Sequence, residues 1–546
     1  MVHDSARQRG LWRDVLPVWA VLMAATCLPY LIAALRTPAG YRFTGVLTAY
    51  DDTFTYFAWM RQAADGRLLM CDLYTTEPQS CEFLLPLWIA LGWVVRVFHL
   101  PIILVFHLAR AASTLVMLAV TRGVVAIAMR SRRRIRLSLW LFAFSGGIGW
   151  LIYLLNSGGD LFNTRAMSGS ADLNLPEAIA FRSAFSQVHF ALGITLVAGS
   201  LRLLCLSLYN QSLKQAAIAG VLVTLLAVIH PYLVLVVGVV AALWLLCWPL
   251  LTQNGTARPY VLSISSGAAV LAGSLPGLAY LIYLNRTNQV LREWLKITDT
   301  LSPPPQEYVL GFGLVGALSV AGFVLLANRR KEAAWFLILW SVSQAAMLYA
   351  PVNFQRRFVE ALQVPLVIAA AVAISWLTAA LRRKRILRRI AIIGIVLTAS
   401  LTNLGFVAGQ ILARGSATGA SDPRRYIQIE IADSLNWIRA NSDPGDTILC
   451  SYLTGNLLPG LIGRHVFLGH YGQTMHSREK GEQINRFYSG QASEAEVETL
   501  FEVNRVRYVI AGPFEDASEA ATARSSMTLV HTVGNVRVYA VQPYQR

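Results

Sequence analysis

"TAYDDTFTYFAWMRQAADG", from Thr48 to Gly66, lies just after the first strongly apolar segment of the chain. It places two adjacent carboxylates, Asp51 and Asp52, where a polypeptide leaving a membrane would meet water. Aspartate is a favoured N-cap residue, so one interpretation is that the pair caps the helix that follows. The other interpretation is chemical, because a carboxylate at a water boundary can act as a general base.

The composition on either side of this stretch is that of a membrane protein. Of 546 residues, 55% are hydrophobic and only 14% are charged, and apolar runs near twenty residues recur along the first three quarters. Runs of that length can cross a bilayer as helices. The run at residues 15–35 lacks a convincing cleavage site, so it is predicted to be a transmembrane helix rather than a signal peptide. The chain is therefore predicted to be a polytopic α-helical membrane protein.

The net charge of +17 is concentrated in three short clusters beside apolar segments. Such clusters are typical of cytoplasmic loops that follow the positive-inside rule. No nucleic-acid partner is expected. The clusters are "RSRRRIR" (Arg130–Arg136), "NRRK" (Asn328–Lys331) and "RRKRILRR" (Arg382–Arg389).

Placing all three clusters in the cytoplasm requires an odd number of crossings within residues 83–129. The simplest solution makes residues 83–100 an interfacial segment. It also splits the run at 216–251 at Pro231, since that run is too long for one span and proline interrupts helices. This solution predicts about eleven transmembrane helices and an external carboxyl-terminal region. A rival solution, with two crossings in 83–129 and one in 216–251, puts five arginines on the wrong face.

The composition changes near residue 421, where short strand patterns alternate with helical ones. The strand patterns are "TILCSY", "HVFLGH", "VRYVIAG" and "VRVYAV". About 125 residues are enough for an independent core. We therefore expect a transmembrane module at 1–415, with outer loops 37–82 and 284–307, and a soluble extracytoplasmic α/β domain at 421–546.

The six cysteines show no CxxC spacing, which argues against a zinc site. Cys71 and Cys81 lie in the predicted outer loop. They could form a disulfide in an oxidising compartment or remain two free thiols, and the sequence leaves both open.

Ionisable side chains that the topology gathers on the outer face are costly at membrane depth, so their convergence indicates a site. Each also has a structural interpretation, as a cap, an interfacial histidine or an arginine anchor at the headgroups. Chemically they are complementary, because carboxylates serve as bases or metal ligands while arginine and histidine bind phosphate oxygens. The set comprises Asp51, Asp52, Arg61, Arg182, His189, His230, Arg356 and Arg357.

Three pieces of sequence carry a resemblance to a known family. "YDDTFTYFAWMRQAADG" resembles the acidic first-loop motif of GT-C glycosyltransferases, polytopic enzymes that use polyprenyl-phosphate sugars. "NFQRRFVEALQVPLVIAAA" is similar to the end of the membrane module in the protein O-mannosyltransferase and aminoarabinose transferase group, and "LAVIHPYLVLVV" occupies the place of their helix break. The likeness covers roughly the first 410 residues in architecture. Two departures are an Asp-Asp pair where the family has a single acidic residue or an Asp-Glu pair, and His230-Pro231 in place of more polar residues. The tail has no "WWD"-type motif, which argues against glycan transfer to asparagine.

The resemblance implies an inverting transferase that moves a sugar from a polyprenyl-phosphate donor to an acceptor hydroxyl. The acceptor would be a cell-envelope glycan, lipid or protein at the outer face of a bacterial inner membrane. Asp51 or Asp52 would be the base, with Asp51 preferred, and Mg²⁺ or Mn²⁺ held by this pair is a candidate cofactor. The donor phosphate would contact Arg182, His189, His230, Arg356 and Arg357.

The sequence also contains weaker candidate features and leaves two alternative functions open. The loop at 284–307 fits a flap over a lipid groove or a plain connection. The glycines of "TGNLLPGLIGRHVFLGHYGQT" are interpreted as turns. A transporter or lipid flippase using the same residues as a proton relay is the rival function, and an inert scaffold is the third. Residues predicted to serve the acceptor or a lid are Arg61, Tyr308, His470 and Tyr471.

Overall fold

The apolar runs form helices long enough to cross a bilayer. The structure is a computed structural model that describes residues 2–157, 168–252, 256–297, 299–328, 330–412 and 423–542. Within these ranges, nine helices are long and apolar enough to span a membrane. The fold class is as predicted, a mostly helical polytopic protein with a carboxyl-terminal sheet region. The nine spans are Gly10–Leu35, Ile102–Ala128, Arg132–Ser157, Val188–Asn210, Leu233–Leu251, Arg258–Thr287, Pro305–Ala327, Gln355–Leu381 and Arg385–Leu412.

The remaining predicted spans are shorter helices. Leu213–Ile229 and Lys331–Met347 have 17 residues each, at the lower limit for crossing. Pro86–Phe98 has 13 residues, or about 20 Å of helix, which is less than the thickness of the hydrocarbon core. That length agrees with an interfacial segment.

In chain order, the helices of the first three quarters are α1 Val2–Leu35, α2 Tyr50–Ala64, α3 Pro86–Phe98, α4 Ile102–Ala128, α5 Arg132–Phe144, α6 Gly149–Ser157, α7 Ala171–Asn174, α8 Ala180–Ser186, α9 Val188–Asn210, α10 Leu213–Ile229, α11 Leu233–Leu251, α12 Arg258–Thr287, α13 Gln289–Ile297, α14 Pro305–Ala327, α15 Lys331–Met347, α16 Gln363–Leu377 and α17 Arg385–Leu412. The carboxyl-terminal helices are α18 Ile429–Ala440, α19 Tyr452–Ile462, α20 Ser477–Tyr488, α21 Glu494–Val503 and α22 Glu519–Thr522. The strands are β1 Tyr41–Phe43, β2 Tyr426–Gln428, β3 Thr447–Leu449, β4 His465–Val466, β5 Val506–Ala511, β6 Met527–Val533 and β7 Val536–Val541.

The long apolar run at 216–251 is broken as predicted. Helix α10 ends at Ile229 and α11 begins at Leu233, with His230 and Pro231 between them. Proline has no backbone N–H to continue the hydrogen-bond ladder, so the chain turns there.

The backbone divides into two compact units. The helical unit comprises Met1–Leu31, Leu108–Ile282 and Asp299–Ala413. The α/β unit comprises Ile32–His107, Tyr283–Thr298 and Arg414–Arg546. The first predicted outer loop thus belongs to the same unit as the carboxyl-terminal region, and strand β1 pairs with β2 in antiparallel fashion. The predicted boundary between a transmembrane module at 1–415 and a soluble domain at 421–546 remains a prediction.

The α/β unit is built on a five-stranded sheet in the order β4-β3-β5-β7-β6. Strands β3, β4 and β5 run parallel, while β7 is antiparallel to both β5 and β6. Successive side chains of a strand face opposite sides of the sheet. Accordingly, Ile448 belongs to one buried cluster and Leu449 to another, so the sheet has an apolar core on each face.

Helix α2 does not begin as the capping interpretation requires. Its N-cap is Ala49, in the left-handed conformation, and no side chain caps the helix. Asp51 and Asp52 lie inside the first turn. The capping interpretation is therefore wrong, although both charges still interact favourably with the helix dipole. Their side chains are left for other contacts.

Cys71 and Cys81 form a disulfide within the α/β unit. The sequence left this pairing open, and the fold decides it by bringing the two Cα atoms to 4.4 Å. The loop that it closes also contains Asp72 and Tyr74, which are both buried.

The disulfide should stabilise the α/β unit by restricting the unfolded chain. We expect Cys71→Ser with Cys81→Ser to lower the free energy of unfolding by about 3 kcal/mol, the value for a short closed loop. Thermal unfolding of the protein in nanodiscs would measure the change. Cys247→Ser, at a free cysteine of the helical unit, is the control. Equal midpoints for the double variant and the wild type would contradict this expectation.

Candidate functional site

Asp51 is held by three donors from the carboxyl-terminal region of the α/β unit. Its Oδ1 lies 3.0 Å from the guanidinium of Arg424 and 3.2 Å from Nδ2 of Asn456, and it accepts a hydrogen bond from the hydroxyl of Tyr452. Tyr452 and Asn456 are four residues apart on α19, so they share one face of that helix. All three contacts fall on Oδ1. Oδ2 is thereby left to accept a proton.

Asp52 lies beside a buried histidine. Its side chain is 50% exposed, and its Oδ1 is 3.8 Å from Nε2 of His470. Nδ1 of His470 accepts the backbone N–H groups of Gly472 and Gln473, at 3.0 and 3.1 Å. The ring proton therefore belongs on Nε2. Within the described ranges, this buried nitrogen has no hydrogen-bond partner.

The other acceptor candidates are distributed differently. Tyr471 stacks on His470, with 5.1 Å between the ring centroids, and is exposed. Arg61 lies ten residues from Asp51, or about 15 Å along α2. Burial, together with the charge of Arg439, lowers the pKa of Arg61 to about 10. Arg61 is therefore not brought to the carboxylate pair.

Tyr308 belongs to the other unit. It lies in α14, and its hydroxyl is 3.0 Å from Oγ of Ser302. The predicted flap at 284–307 contains helix α13, and its residue 298 lies outside the described ranges.

The predicted phosphate-binding residues all lie in the helical unit. His189 and His230 have ring centroids 5.3 Å apart in an edge-to-face arrangement. Nδ1 of His230 lies 3.1 Å from Oε2 of Glu360, which is fully buried. Gly193 makes room for this carboxylate, since a Cβ there would meet Oε1 of Glu360 at 2.0 Å. The structure thus brings the two histidines together with an acid that sequence reasoning missed.

The two adjacent arginines share a second missed acid. Nε of Arg356 is 3.2 Å from Oε1 of Glu177, and a terminal nitrogen of Arg357 is 3.7 Å from the same oxygen. Because two guanidinium groups share one carboxylate, this trio keeps a net positive charge.

Arg182 is a buried cation with spare donors. One terminal nitrogen donates to the carbonyl of Leu173 at 3.3 Å, and the guanidinium carbon lies 3.7 Å from the ring centroid of Phe406. Its other terminal nitrogen has no hydrogen-bond partner in the part of the chain that the structure describes. Burial lowers the pKa of Arg182 to about 10. It remains charged at neutral pH and can accept an anionic partner.

The described residues do not supply a complete metal site. Across the described ranges, no group of three or more His, Cys, Asp or Glu side chains is arranged to hold a metal ion. Mg²⁺ and Mn²⁺ prefer about six oxygen ligands, and Oδ1 of Asp51 is already engaged by three donors. Asp51 and Asp52 therefore do not form a complete metal site by themselves, and a divalent ion held between these carboxylates and a donor phosphate remains a prediction.

Sequence reasoning missed the residues that orient the carboxylates. Arg424, Tyr452 and Asn456 come from a segment that carries no motif, and only the fold brings them to α2. The glycines in that segment were expected to form turns, but Gly455 and Gly460 lie inside α19. A Cβ at Gly460 would meet the carbonyl oxygen of Phe54 at 2.7 Å, so close packing on α2 explains this glycine.

The fold resembles that of membrane proteins whose structures have been solved. No protein-family model and no curated protein matches the sequence. ArnT from Cupriavidus metallidurans bound to undecaprenyl phosphate is similar in structure, with a TM-score of 0.54, 11% identity, and coverage of 95% of this chain and 97% of that one. The Archaeoglobus fulgidus oligosaccharyltransferase AglB, in complex with an inhibitory peptide and a dolichol-phosphate, has a TM-score of 0.53 at 12% identity. The match covers 90% of this chain and 69% of that one. The Archaeoglobus fulgidus oligosaccharyltransferase in complex with Zn and sulfate has a TM-score of 0.55 at 14% identity. The match covers 89% of this chain and 68% of that one. At these identities the likeness establishes the fold.

Asp72 should make stability depend on pH. Burial raises its pKa from 3.8 to about 7. In the unfolded chain it titrates at its ordinary value, so between pH 4 and about 7 the folded state binds more protons. Stability should therefore fall as pH rises through this window and level off above it. Asp72→Asn should flatten that part of the curve of stability against pH, measured as the unfolding midpoint in nanodiscs.

Asp433→Asn, at an exposed position of α18, is the control and should keep the wild-type slope. An unchanged slope in Asp72→Asn would refute the assignment of this pH dependence to Asp72.

Gly193 should be intolerant of a side chain. Gly193→Ala forces its Cβ against Glu360, a misfit of about 1–3 kcal/mol. Gly199→Ala on the same helix is the matched control, because its Cβ would meet terminal methyl groups of Leu222 at 3.2 Å and Val120 at 3.8 Å. The unfolding midpoint should fall clearly for the first variant and little for the second. Equal shifts would contradict the close fit of Glu360 against α9.

Proposed function

We propose that the protein is a membrane glycosyltransferase that moves a sugar from a polyprenyl-phosphate donor to an acceptor hydroxyl. The observation that carries the proposal is the arrangement at the start of α2. There a carboxylate oriented by three donors stands next to a half-exposed carboxylate and a buried imidazole N–H that has no hydrogen-bond partner among the described residues. A fixed base with an adjacent spare donor is what deprotonation of a bound hydroxyl requires.

The reaction follows from these groups. The acceptor oxygen attacks the anomeric carbon of the donor and forms the new carbon–oxygen bond, while its proton passes to Oδ2 of Asp51. The bond between the anomeric carbon and the phosphate oxygen breaks, and its electron pair leaves with the polyprenyl phosphate. Attack from the side opposite the phosphate gives inversion. Nε2–H of His470 and the carboxylate of Asp52 would hold the acceptor in place.

The leaving phosphate requires positive charge and donors. We assign this role to the residues predicted for it, all in the helical unit. The spare terminal nitrogen of Arg182 and the net charge of the trio of Arg356, Arg357 and Glu177 support the assignment. His230 would contribute through Nε2, since its Nδ1 lies beside Glu360, and His189 would contribute through its own ring. The carboxyl-terminal region would lie on the outer face of a bacterial inner membrane, where a lipid-linked donor is the activated sugar at hand.

A transporter or lipid flippase is the second candidate. The observation that favours it is the buried group of His189, His230 and Glu360, since ionisable residues inside a helical bundle are typical of proton relays. Proton uptake into liposomes that contain the purified protein would support this reading. Donor consumption without proton movement would support the transferase.

The base assignment is tested by two substitutions and a control. Asp51→Asn and Asp52→Asn should be assayed for consumption of polyprenyl-phosphate sugars in membranes. Removal of a general base lowers rates by about 10²–10⁴-fold, and we expect a loss of that size for Asp51→Asn and a smaller one for Asp52→Asn. Asp65→Asn, at the other end of α2, should retain wild-type activity.

Wild-type activity in both aspartate variants would refute the base assignment. Failure of the purified wild-type protein to bind any polyprenyl-phosphate sugar would favour an inert scaffold.

A further inference from the structure

A cavity of about 590 Å³ opens in the α/β unit where its three parallel strands end. Its lining includes Tyr452 after β3, Leu468 after β4, and Phe514 after β5. Strand β3 lies between β4 and β5, so the chain leaves it toward one side and later returns on the other. Ligand crevices of α/β sheets lie at such divergence points, beyond the carboxyl ends of the strands. The cavity therefore lies at the position where α/β sheets commonly bind ligands.

The lining combines flat aromatic surfaces with neutral hydrogen-bonding groups. Tyr452, Tyr471 and Phe514 supply rings, and Ser477 and Asn485 supply a hydroxyl and an amide. Tyr471 is 62% exposed, so its ring is accessible to a ligand. Aromatic faces pack against apolar C–H surfaces, while amides and hydroxyls both donate to and accept from hydroxyl groups. A sugar presents both kinds of surface.

The charges of the cavity argue against an anionic ligand. Three charged residues line the cavity, the buried Glu515 together with Asp516 and Arg478, so its formal net charge is negative. Its Oε1 accepts from the hydroxyl of Thr454 at 2.6 Å and the backbone N–H of Ser451 at 3.2 Å, and its Oε2 accepts from the N–H of Gly512 at 3.0 Å. These donors surround the start of α19, where an anionic ligand would otherwise bind. The protein's own carboxylate fills that position, so a neutral ligand fits better than a phosphate.

The cavity is linked to both carboxylates of the candidate site. Tyr452 lines the cavity and donates its hydroxyl to Asp51. Tyr471 also lines it and stacks on His470, whose Nε2 faces Asp52. One lining residue therefore contacts Asp51 directly, and a second contacts the histidine that lies beside Asp52.

We infer that this cavity binds a neutral carbohydrate acceptor and presents one of its hydroxyl groups to the Asp51–Asp52 pair. The inference rests on the proposed transferase function and specifies its acceptor. An extended peptide fits less well, because peptides commonly bind along a free sheet edge. This cavity is lined instead by the loops at the strand ends and by side chains of α20.

Binding of defined oligosaccharides tests the inference directly. The full-length protein should be placed in nanodiscs, since sugar-based detergents would compete. Saturation-transfer NMR would then be recorded with a maltooligosaccharide, a galactooligosaccharide and an arabinan oligosaccharide. Oligogalacturonide serves as the anionic comparison, and a random-sequence peptide pool as the alternative ligand. We expect binding of at least one neutral oligosaccharide and none of the other two probes.

Two variants and a matched control locate the binding. Tyr471→Ala and Asn485→Ala remove exposed side chains, and the first should weaken the affinity about tenfold, as expected for loss of an aromatic contact. Gln483→Ala should bind like the wild type, because position 483 is on the same helix but about 200° around it from Asn485. No binding of any neutral oligosaccharide, equal binding in all variants, or preferred binding of the peptides or oligogalacturonide would overturn the inference.

Failure of this inference and failure of the transferase proposal give different results. Donor consumption by a wild-type protein that binds no oligosaccharide would overturn the acceptor assignment alone. Oligosaccharide binding that depends on Tyr471, in a protein that consumes no donor, would overturn the transferase alone.

Discussion

One carboxylate oxygen links two parts of the α/β unit that are far apart in the sequence. Oδ1 of Asp51 accepts from Tyr452 and Asn456, which follow it in the chain by 401 and 405 positions, and it pairs with Arg424. A partly buried carboxylate is costly unless such donors surround it. The interaction therefore ties α2 to the carboxyl-terminal region. It also fixes the orientation of the proposed base, so the contact that stabilises this packing also prepares the chemistry.

The helical unit meets the same constraint in another way. Glu360 is buried among helices, and it is accommodated by the absence of a side chain at Gly193 and by the ring of His230. Glu177 likewise lies between two arginines. Each acid places a cationic or hydrogen-bonding side chain in a defined position, which is what recognition of a phosphate requires. These buried charges lie among the residues that we propose for binding the donor phosphate.

Helix α19 shows how close packing and function coincide. Gly455 and Gly460 let its backbone approach Leu468 and Phe54, since a Cβ would meet their carbonyl oxygens at 1.9 and 2.7 Å. That approach brings Tyr452 within reach of Asp51. The same tyrosine borders the cavity at the strand ends. A single short helix therefore connects the sheet, the carboxylate pair and the proposed acceptor site.

The sequence alone determined the class of fold, because the length of the apolar runs and the position of the basic clusters reflect the bilayer itself. It also indicated the acidic first loop and the break at Pro231, since both depend on local chemistry. The tertiary structure decided that Asp51 is bound by distant donors and does not act as an N-cap, and that Cys71 pairs with Cys81. It also placed Glu360 beside His230 and Glu177 beside Arg356. These contacts join residues far apart in the chain, and no local pattern records which distant side chain will satisfy a buried charge.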